Sequence, residues 1–342
     1  MDLPITIFIV VCIGVIIWIR YRVSTRVVPY TQPLVSSSLA KSCSAAGTQI
    51  AITWIVWQYL PDHVTEHTKY IHTFVKHFVQ TFGWKVTIVV PKSEAKSFDG
   101  VPILQFNEKL AIESAVCTST AILSEKGVAE AAIHTATAAA KPLFLFVFDE
   151  HLQMIETPNP IQLIYSSEWL KEKYPGHQGI VVRKPIFVKE AMTHTTREYI
   201  TYIHLGDTDN EIRKIRQQLP DFPFLYLDGR EQKDVKTTYK QTAILCILSD
   251  DELYVSLALE AALSGIPIIS CPHRGIQEVL GDCVIYVDRG DTMQWVNILR
   301  TLKENVYYYE RLSRASSKRA KAFRAMDDLE RLQGLIAAAA VD

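Results

Sequence analysis

Residues 251–269 read Asp251-Glu252-Leu253-Tyr254-Val255-Ser256-Leu257-Ala258-Leu259-Glu260-Ala261-Ala262-Leu263-Ser264-Gly265-Ile266-Pro267-Ile268-Ile269. The stretch is a loop, a short helix and a buried strand. Ser249, Asp250 and Asp251 supply capping oxygens and negative charge at the helix start. Gly265 falls where a helix ends in the left-handed conformation, and Pro267 forbids its continuation. Ile266, Ile268 and Ile269 then form the apolar β-branched run of a strand inside a parallel sheet. Two carboxylates stand out. Glu252 precedes the helix, and Glu260 lies within a Leu/Ala helix, where burial is costly unless something pairs with it. On spacing alone two readings stay open: a solvated helix face, or a cleft in which Glu260 takes hydrogen bonds from a polar ligand.

Working outward, strands are expected at 200–205, 224–227, 244–248 and 283–287, alternating with helices at 210–219 and 235–241. Helices at 292–302 and 306–335 close the chain. The first half shows the same alternation. A strand at 49–57 leads into an amphipathic helix whose Ile71, Phe74, Val75, Phe78 and Val79 fall on one face. Further strands are expected at 85–90, 101–106, 120–123, 143–148, 162–165 and 179–182, with helical stretches at 111–116, 127–140 and 167–173. The pattern predicts an α/β fold of two Rossmann-like domains facing a cleft, with ligands outside the carboxyl ends of the strands. The boundaries expected are an anchor and basic flank at 1–26, a linker at 27–48, domains at 49–190 and 191–303, and a C-terminal helix at 304–342.

Lys plus Arg (36) balance Asp plus Glu (37) over 342 residues, so no basic field argues for nucleic acid. Leu3 to Ile19 is apolar throughout, and Arg20, Arg22 and Arg26 follow it. The run is expected to be a single-pass transmembrane anchor touching membrane lipids, with the bulk of the chain facing the cytosol by the positive-inside rule. The six cysteines show no CxxC or Cys/His ligand spacing and read as small buried thiols in a reducing compartment. There is no G-x-G-x-x-G, Walker loop, G-x-S-x-G or HExxH pattern.

Asp207-Thr208-Asp209 reads as helix caps before a metal site, and no metal is expected. His63, His67, His72 and His77 read as surface histidines. Asp149-Glu150-His151 closes the strongest strand of the first half, which makes His151 a cleft candidate for acid–base or sugar contact; a plain loop histidine is the other reading. Arg311, Arg314, Lys318 and Lys321 form a stripe on the last helix. It reads as a solvated face, with anionic lipid or a protein partner as the alternative.

The opening stretch resembles the donor-binding segment of retaining GT-B fold glycosyltransferases of family 4. Those enzymes carry two glutamates separated by seven residues, then a small-Gly-x-Pro-hydrophobic strand, as Glu252, Glu260 and Ser264-Gly265-Ile266-Pro267-Ile268 do here. The likeness runs on through Gly275-Ile276-Gln277-Glu278, Gly281-Asp282 and Val287-Asp288. In the first half, Tyr59-Leu60-Pro61, Gly83-Trp84-Lys85 and Tyr165-Ser166-Ser167-Glu168-Trp169 resemble the family's opening loop, second strand and Asn-Ser-x-Trp segment.

The resemblance implies metal-independent, retaining transfer of a sugar from a nucleotide-diphosphate sugar to an acceptor, with no cofactor beyond that co-substrate. It implies that Glu260 holds the ribose hydroxyls, that Glu252 lies by the donor sugar, and that backbone amides at Tyr254, Val255 and Ser256 face sugar or phosphate. The family's basic pair after the first strand of the second half is replaced here by the acidic loop 207–209, and Arg213 or Lys214 one turn later could stand in. Val64 likewise replaces an expected glycine. These departures motivate the alternative expectation, a catalytically silent glycosyltransferase-like protein with a structural or assembly role at a membrane.

Overall fold

A computed structural model describes residues 34–36, 39, 49–148, 161–177, 179–183, 197–203, 209–227, 235–249, 254–323 and 326–339. The apolar run 3–19, its arginine flank, His151, Glu252 and Asp207 lie outside these residues. Among the described residues no helix is long and apolar enough to cross a membrane.

The first domain contains β1 (Ala51–Ile55), α1 (Glu66–Gln80), β2 (Lys85–Val90), β3 (Ser97–Phe98), β4 (Val101–Gln105), α2 (Lys109–Thr118), β5 (Ala121–Glu125), α3 (Ala129–Ala139), β6 (Leu143–Val147), β7 (Ile161–Tyr165), α4 (Glu168–Glu172) and β8 (Gly179–Val181). Its sheet runs β3-β4-β2-β1-β5-β6-β7-β8, parallel except for β3. β3 was not expected. Asp99-Gly100 makes its hairpin, both residues at positive φ (49° and 78°), a turn chemistry that the short flanking strands hid.

The sheet is covered on both sides, and its central strands β1, β5 and β6 are buried at nearly every position. Ile52 and Trp54 pack under α1, with Phe74 and Phe78, while Ile55 and Ile122 face α2 and α3 through Ile112 and Ile133. Leu34, Val35 and Leu39, within the stretch read as a linker, are buried in that second layer.

The second domain contains β9 (Tyr199–Ile203), α5 (Asp209–Gln218), β10 (Phe224–Tyr226), α6 (Val235–Gln241), β11 (Thr242–Ile247), α7 (Tyr254–Leu263), β12 (Ile268–Ser270), α8 (Arg274–Leu280), β13 (Ile285–Tyr286), α9 (Thr292–Glu304) and α10 (Val306–Ala322). Its parallel sheet runs β10-β9-β11-β12-β13. Leu245 and Ile247 face α7 and α8, and Ile244 and Cys246 face α5 and α9, the period-two alternation of a sheet buried on both faces.

The helix expected over 306–335 is two helices. α10 ends at Phe323, whose φ of −81° and ψ of 70° break the ladder, and α11 (Met326–Ala338) follows. α10 stays on the second domain: Ser313 Oγ donates to Gly265 O at 2.6 Å and Tyr309 O–H to Ala243 O at 2.9 Å. α11 crosses back, and its Leu329, Leu332 and Ile336 are fully buried in the first domain's core. Continuous amphipathic periodicity concealed the change of partner. Leu332→Ala is expected to cost about 2–3 kcal/mol through the cavity it leaves. Chemical denaturation followed at Trp54 and its neighbours measures it, and an unchanged midpoint would show that α11 does not hold the first domain.

Two other expectations are corrected. Cys117 is disulfide-bonded, while Cys246, Cys271 and Cys283 are free; pairing depends on proximity in the fold, which cysteine spacing does not encode. His72 and His77 are not surface groups. His72 Nδ1 is 2.7 Å from the Tyr59 hydroxyl and its Nε2 is 3.1 Å from Asp99. His77 is 4% exposed, against Phe82. Burial lowers the pKa of both.

Candidate functional site

The carboxyl edges of the two sheets meet each other. α4 leaves the carboxyl end of β7, and α8 leaves that of β12. Glu278 on α8 accepts from the backbone N–H of Glu168 (3.1 Å) and of Trp169 (3.2 Å) at the start of α4. Arg183, just past β8, donates to Glu278 through Nε (3.2 Å) and Nη2 (3.1 Å), and to Asp328 of α11 through Nη1 (3.0 Å). Its guanidinium lies 5.4 Å from the ring centroid of Phe323, where the chain crosses between domains. One arginine thus joins both domains and the crossing segment. In folds of this class ligands sit outside the carboxyl ends of the strands.

On the second-domain side α7 starts at this edge. It ends in the Schellman pair, Ile266 N–H to Ala261 O (3.0 Å) and Gly265 N–H to Ala262 O (2.9 Å), with Gly265 at φ 70° as its sequence position anticipates. Tyr254 and Ser256 are buried, and Val255 and Glu260 are partly buried. Leu257, Ala258, Leu259, Ala261 and Ala262 are buried as well, so α7 offers Glu260 only a narrow, partly solvated edge. Glu260 lies six residues beyond Tyr254, about 9 Å along the helix at 1.5 Å per residue. Glu260, Leu263 and Ser264 form the less buried edge of α7 and the residue after it, because residues three and four apart fall on one side.

Arg213 and Lys214 are exposed on α5, whose Ile212, Ile215 and Leu219 pack on the other face of the sheet from α7. Tyr254, Val255, Ser256 and Glu260 thus lie on one helix, and Arg213 and Lys214 are set apart from them across the sheet. Among the described residues no cluster of three His, Cys, Asp or Glu side chains could hold a metal ion.

On the first-domain side, a pair that the sequence left unremarked occupies the point where strand order reverses, between β1 and β5. Glu125 ends β5 and is 5% exposed. Its Oε1 accepts from Trp57 N–H at 2.6 Å, just beyond β1, and its Oε2 is held by His67 Nε2. His67 sits in the first turn of α1, fixed by a capping box in which Thr65 and Thr68 exchange side-chain and backbone hydrogen bonds. Phe148, past the end of β6, meets the imidazole edge to face at 4.9 Å between centroids. Reading His67 as a surface group missed this. The available signal was a carboxylate closing the wholly buried strand AILSE at a switch point.

No family model and no curated protein matches the sequence. Solved structures do match the fold. A glycosyltransferase from Rickettsia africae ESF-5 aligns with a TM-score of 0.65 at 8% identity, over 86% of this chain and 99% of that one. Sucrose-phosphate synthase from Thermosynechococcus elongatus aligns at 0.61 and 11% identity, over 84% and 98%. The catalytic domain of starch synthase IV from Arabidopsis thaliana, bound to ADP and acarbose, aligns at 0.57 and 10% identity, over 86% and 100%. At these identities the likeness is one of fold: two α/β domains with parallel sheets, in the GT-B arrangement.

Proposed function

We propose that this protein is a glycosyltransferase that takes a sugar from a nucleotide-diphosphate sugar and passes it to a hydroxylated acceptor. The observation that carries the reading is Glu260, a partly buried carboxylate on an otherwise largely buried helix that follows the carboxyl end of β11. A partly desolvated carboxylate suits the two hydroxyls of a ribose, which donate to it without adding charge. The start of α7 offers backbone N–H groups and the positive end of a helix dipole to the diphosphate. Glu252, in the loop leading into α7, is assigned to the donor sugar, and His151, beyond β6, to the facing side of the cleft.

Metal independence and retention of the anomeric configuration are part of the proposal on the family resemblance. Arg213 and Lys214 are not assigned to the diphosphate, because α5 lies across the sheet from α7. The apolar run 3–19 is assigned as a membrane anchor. Its arginine flank favours a cytosolic bulk, whereas the Cys117 disulfide favours an oxidising compartment. The basic stripe of α10, with Arg311, Arg314, Lys318 and Lys321 all exposed, is open to an anionic surface.

Melting of the full chain in detergent with UDP-, ADP- and GDP-linked sugars tests this. At a hundred times its Kd the right donor stabilises the protein by about 2.7 kcal/mol, a shift of several degrees. If none of the panel moves the midpoint, the donor-site reading is wrong. The alternative, a silent relative of such enzymes, is favoured by the acidic residues at 207 and 209, which repel a diphosphate. It predicts binding without release of nucleoside diphosphate.

A further inference from the structure

We infer that the outward face of α10, from Tyr307 to Lys321, docks on an anionic lipid bilayer and holds the second domain against it; this rests on the reading of that stripe as open to an anionic surface, not on glycosyl transfer. α10 carries five cations against one carboxylate, in a chain whose formal net charge is −1. Four of the five are aligned. Tyr307, Arg311, Arg314, Lys318 and Lys321 recur at alternating intervals of four and three residues, which keeps them on one side of the helix. All of these are exposed, and the opposite side, Leu312, Ser316 and Ala320, is buried. The line is about 21 Å long at 1.5 Å per residue.

Three observations favour a bilayer over solvent or an acidic protein. The positive charge is nearly uncompensated. Glu310 on the flank pairs with Arg314 at 2.6 Å, Arg311 lies over the Tyr308 ring at 5.2 Å, and among the described residues no ion pair holds Lys318 or Lys321. A solvated helix face ordinarily interleaves both signs. The amino end of the line is apolar yet open to water: Tyr307 is 77% exposed and Val306 beside it 67%. The amphipathic ring of a tyrosine suits the head-group level of a membrane. The helix is also fixed from beneath. Ser313 Oγ donates to Gly265 O, Tyr309 O–H to Ala243 O, and Arg319 Nε to Val279 O at 3.1 Å. The cations are thus presented as one line on a rigid platform, which matches an extended negative surface.

The negative potential of an anionic leaflet attracts basic residues held near it, each adding about fivefold to partitioning. That attraction falls off within a Debye length, about 10 Å at 0.1 M salt, so the outward face of α10 is the part that feels it. α10 lies directly on the end of α7 at Gly265 and on α8 at Val279. Docking through its outer face therefore sets the orientation of the second domain on the bilayer, with α7 and α8 on the side away from the lipid.

The test places the full chain with vesicles of phosphatidylcholine, alone or with phosphatidylserine as one lipid in three. Mass spectrometry follows the rate at which an amine-reactive reagent acylates each lysine. Lys318 and Lys321 are expected to react at least about fivefold more slowly on the anionic vesicles than on the neutral ones, while Lys214, exposed on α5, is unchanged. Raising salt from about 0.1 M to about 1 M is expected to abolish the protection. Arg311→Glu combined with Arg314→Glu is expected to abolish it as well, with melting and nucleoside-diphosphate binding unchanged, because both side chains are exposed. Equal rates on the two kinds of vesicle overturn the proposal and leave the stripe to solvent or to an acidic protein. Protection that survives the charge reversal, or that covers Lys214 equally, is unspecific adsorption and also overturns it. Either failure leaves the donor reading of α7 standing, and a chain that binds no nucleoside diphosphate leaves the lysine protection intact.

Discussion

Trp54→Ala is expected to destabilise the first domain by about 3–5 kcal/mol, the range for removing a fully buried aromatic side chain. Trp54 has 0% exposure in the middle of β1. Its ring stacks on Phe146 at 5.0 Å and meets Phe74 at 6.3 Å and Phe78 at 6.1 Å, so four rings from β1, β6 and α1 share one volume. Alanine leaves a cavity that three large, stiff rings cannot close, which puts the loss at the upper part of the range. Trp54→Phe keeps most of the volume and is expected to cost less than half as much. Urea unfolding of the two variants measures the difference. Equal midpoints for both would mean that the cluster is not the centre of the core.

Arg183→Ala is expected to act on domain arrangement as well as stability. Arg183 is 22% exposed, Glu278 16% and Asp328 13%, so the three charges are largely withdrawn from water. Removing the arginine leaves two carboxylates near each other without their common cation and uncovers the ring of Phe323. Loss of one partner from a buried pair costs about 3–5 kcal/mol, and the residual exposure here places the expectation near 3 kcal/mol. The Glu278 bonds to α4 survive but lose the charge that balances them. Small-angle scattering should therefore broaden, and proteolysis near Phe323 should accelerate. Arg183→Lys is expected to recover only part, because an ammonium cannot bond Glu278 twice and Asp328 at once. Unchanged melting and scattering in the alanine variant would remove the clasp from the account.

Much of this was legible in the sequence, for reasons that differ from place to place. Residues 251–269 announced their loop, helix and strand because Gly265 and Pro267 permit little else. The parallel sheets followed from runs such as LFLFVF and TAILCI, apolar on both faces. What escaped depends on which parts of the chain touch. Nothing local in 306–335 says that its second half belongs to the other domain; Leu329, Leu332 and Ile336 keep the same helical spacing whichever core receives them. Cys117 could not be paired by spacing. The His67–Glu125 pair joins residues 58 apart, and the sequence showed only a histidine among four and an acid at a strand's end. Glu260 was half legible: the resemblance named a role, and only the packing of α7 showed how narrow its solvated edge is.

The central claim is that the α7 edge holds a nucleoside diphosphate through Glu260. It is tested most directly by calorimetric titration of UDP, ADP and GDP into the full chain and into Glu260→Ala. The account predicts that one of the three binds the parent and that the variant binds it at least about tenfold more weakly, a loss of about 1.4 kcal/mol. Equal affinity in parent and variant, or no binding of any of the three at millimolar concentration, would contradict it.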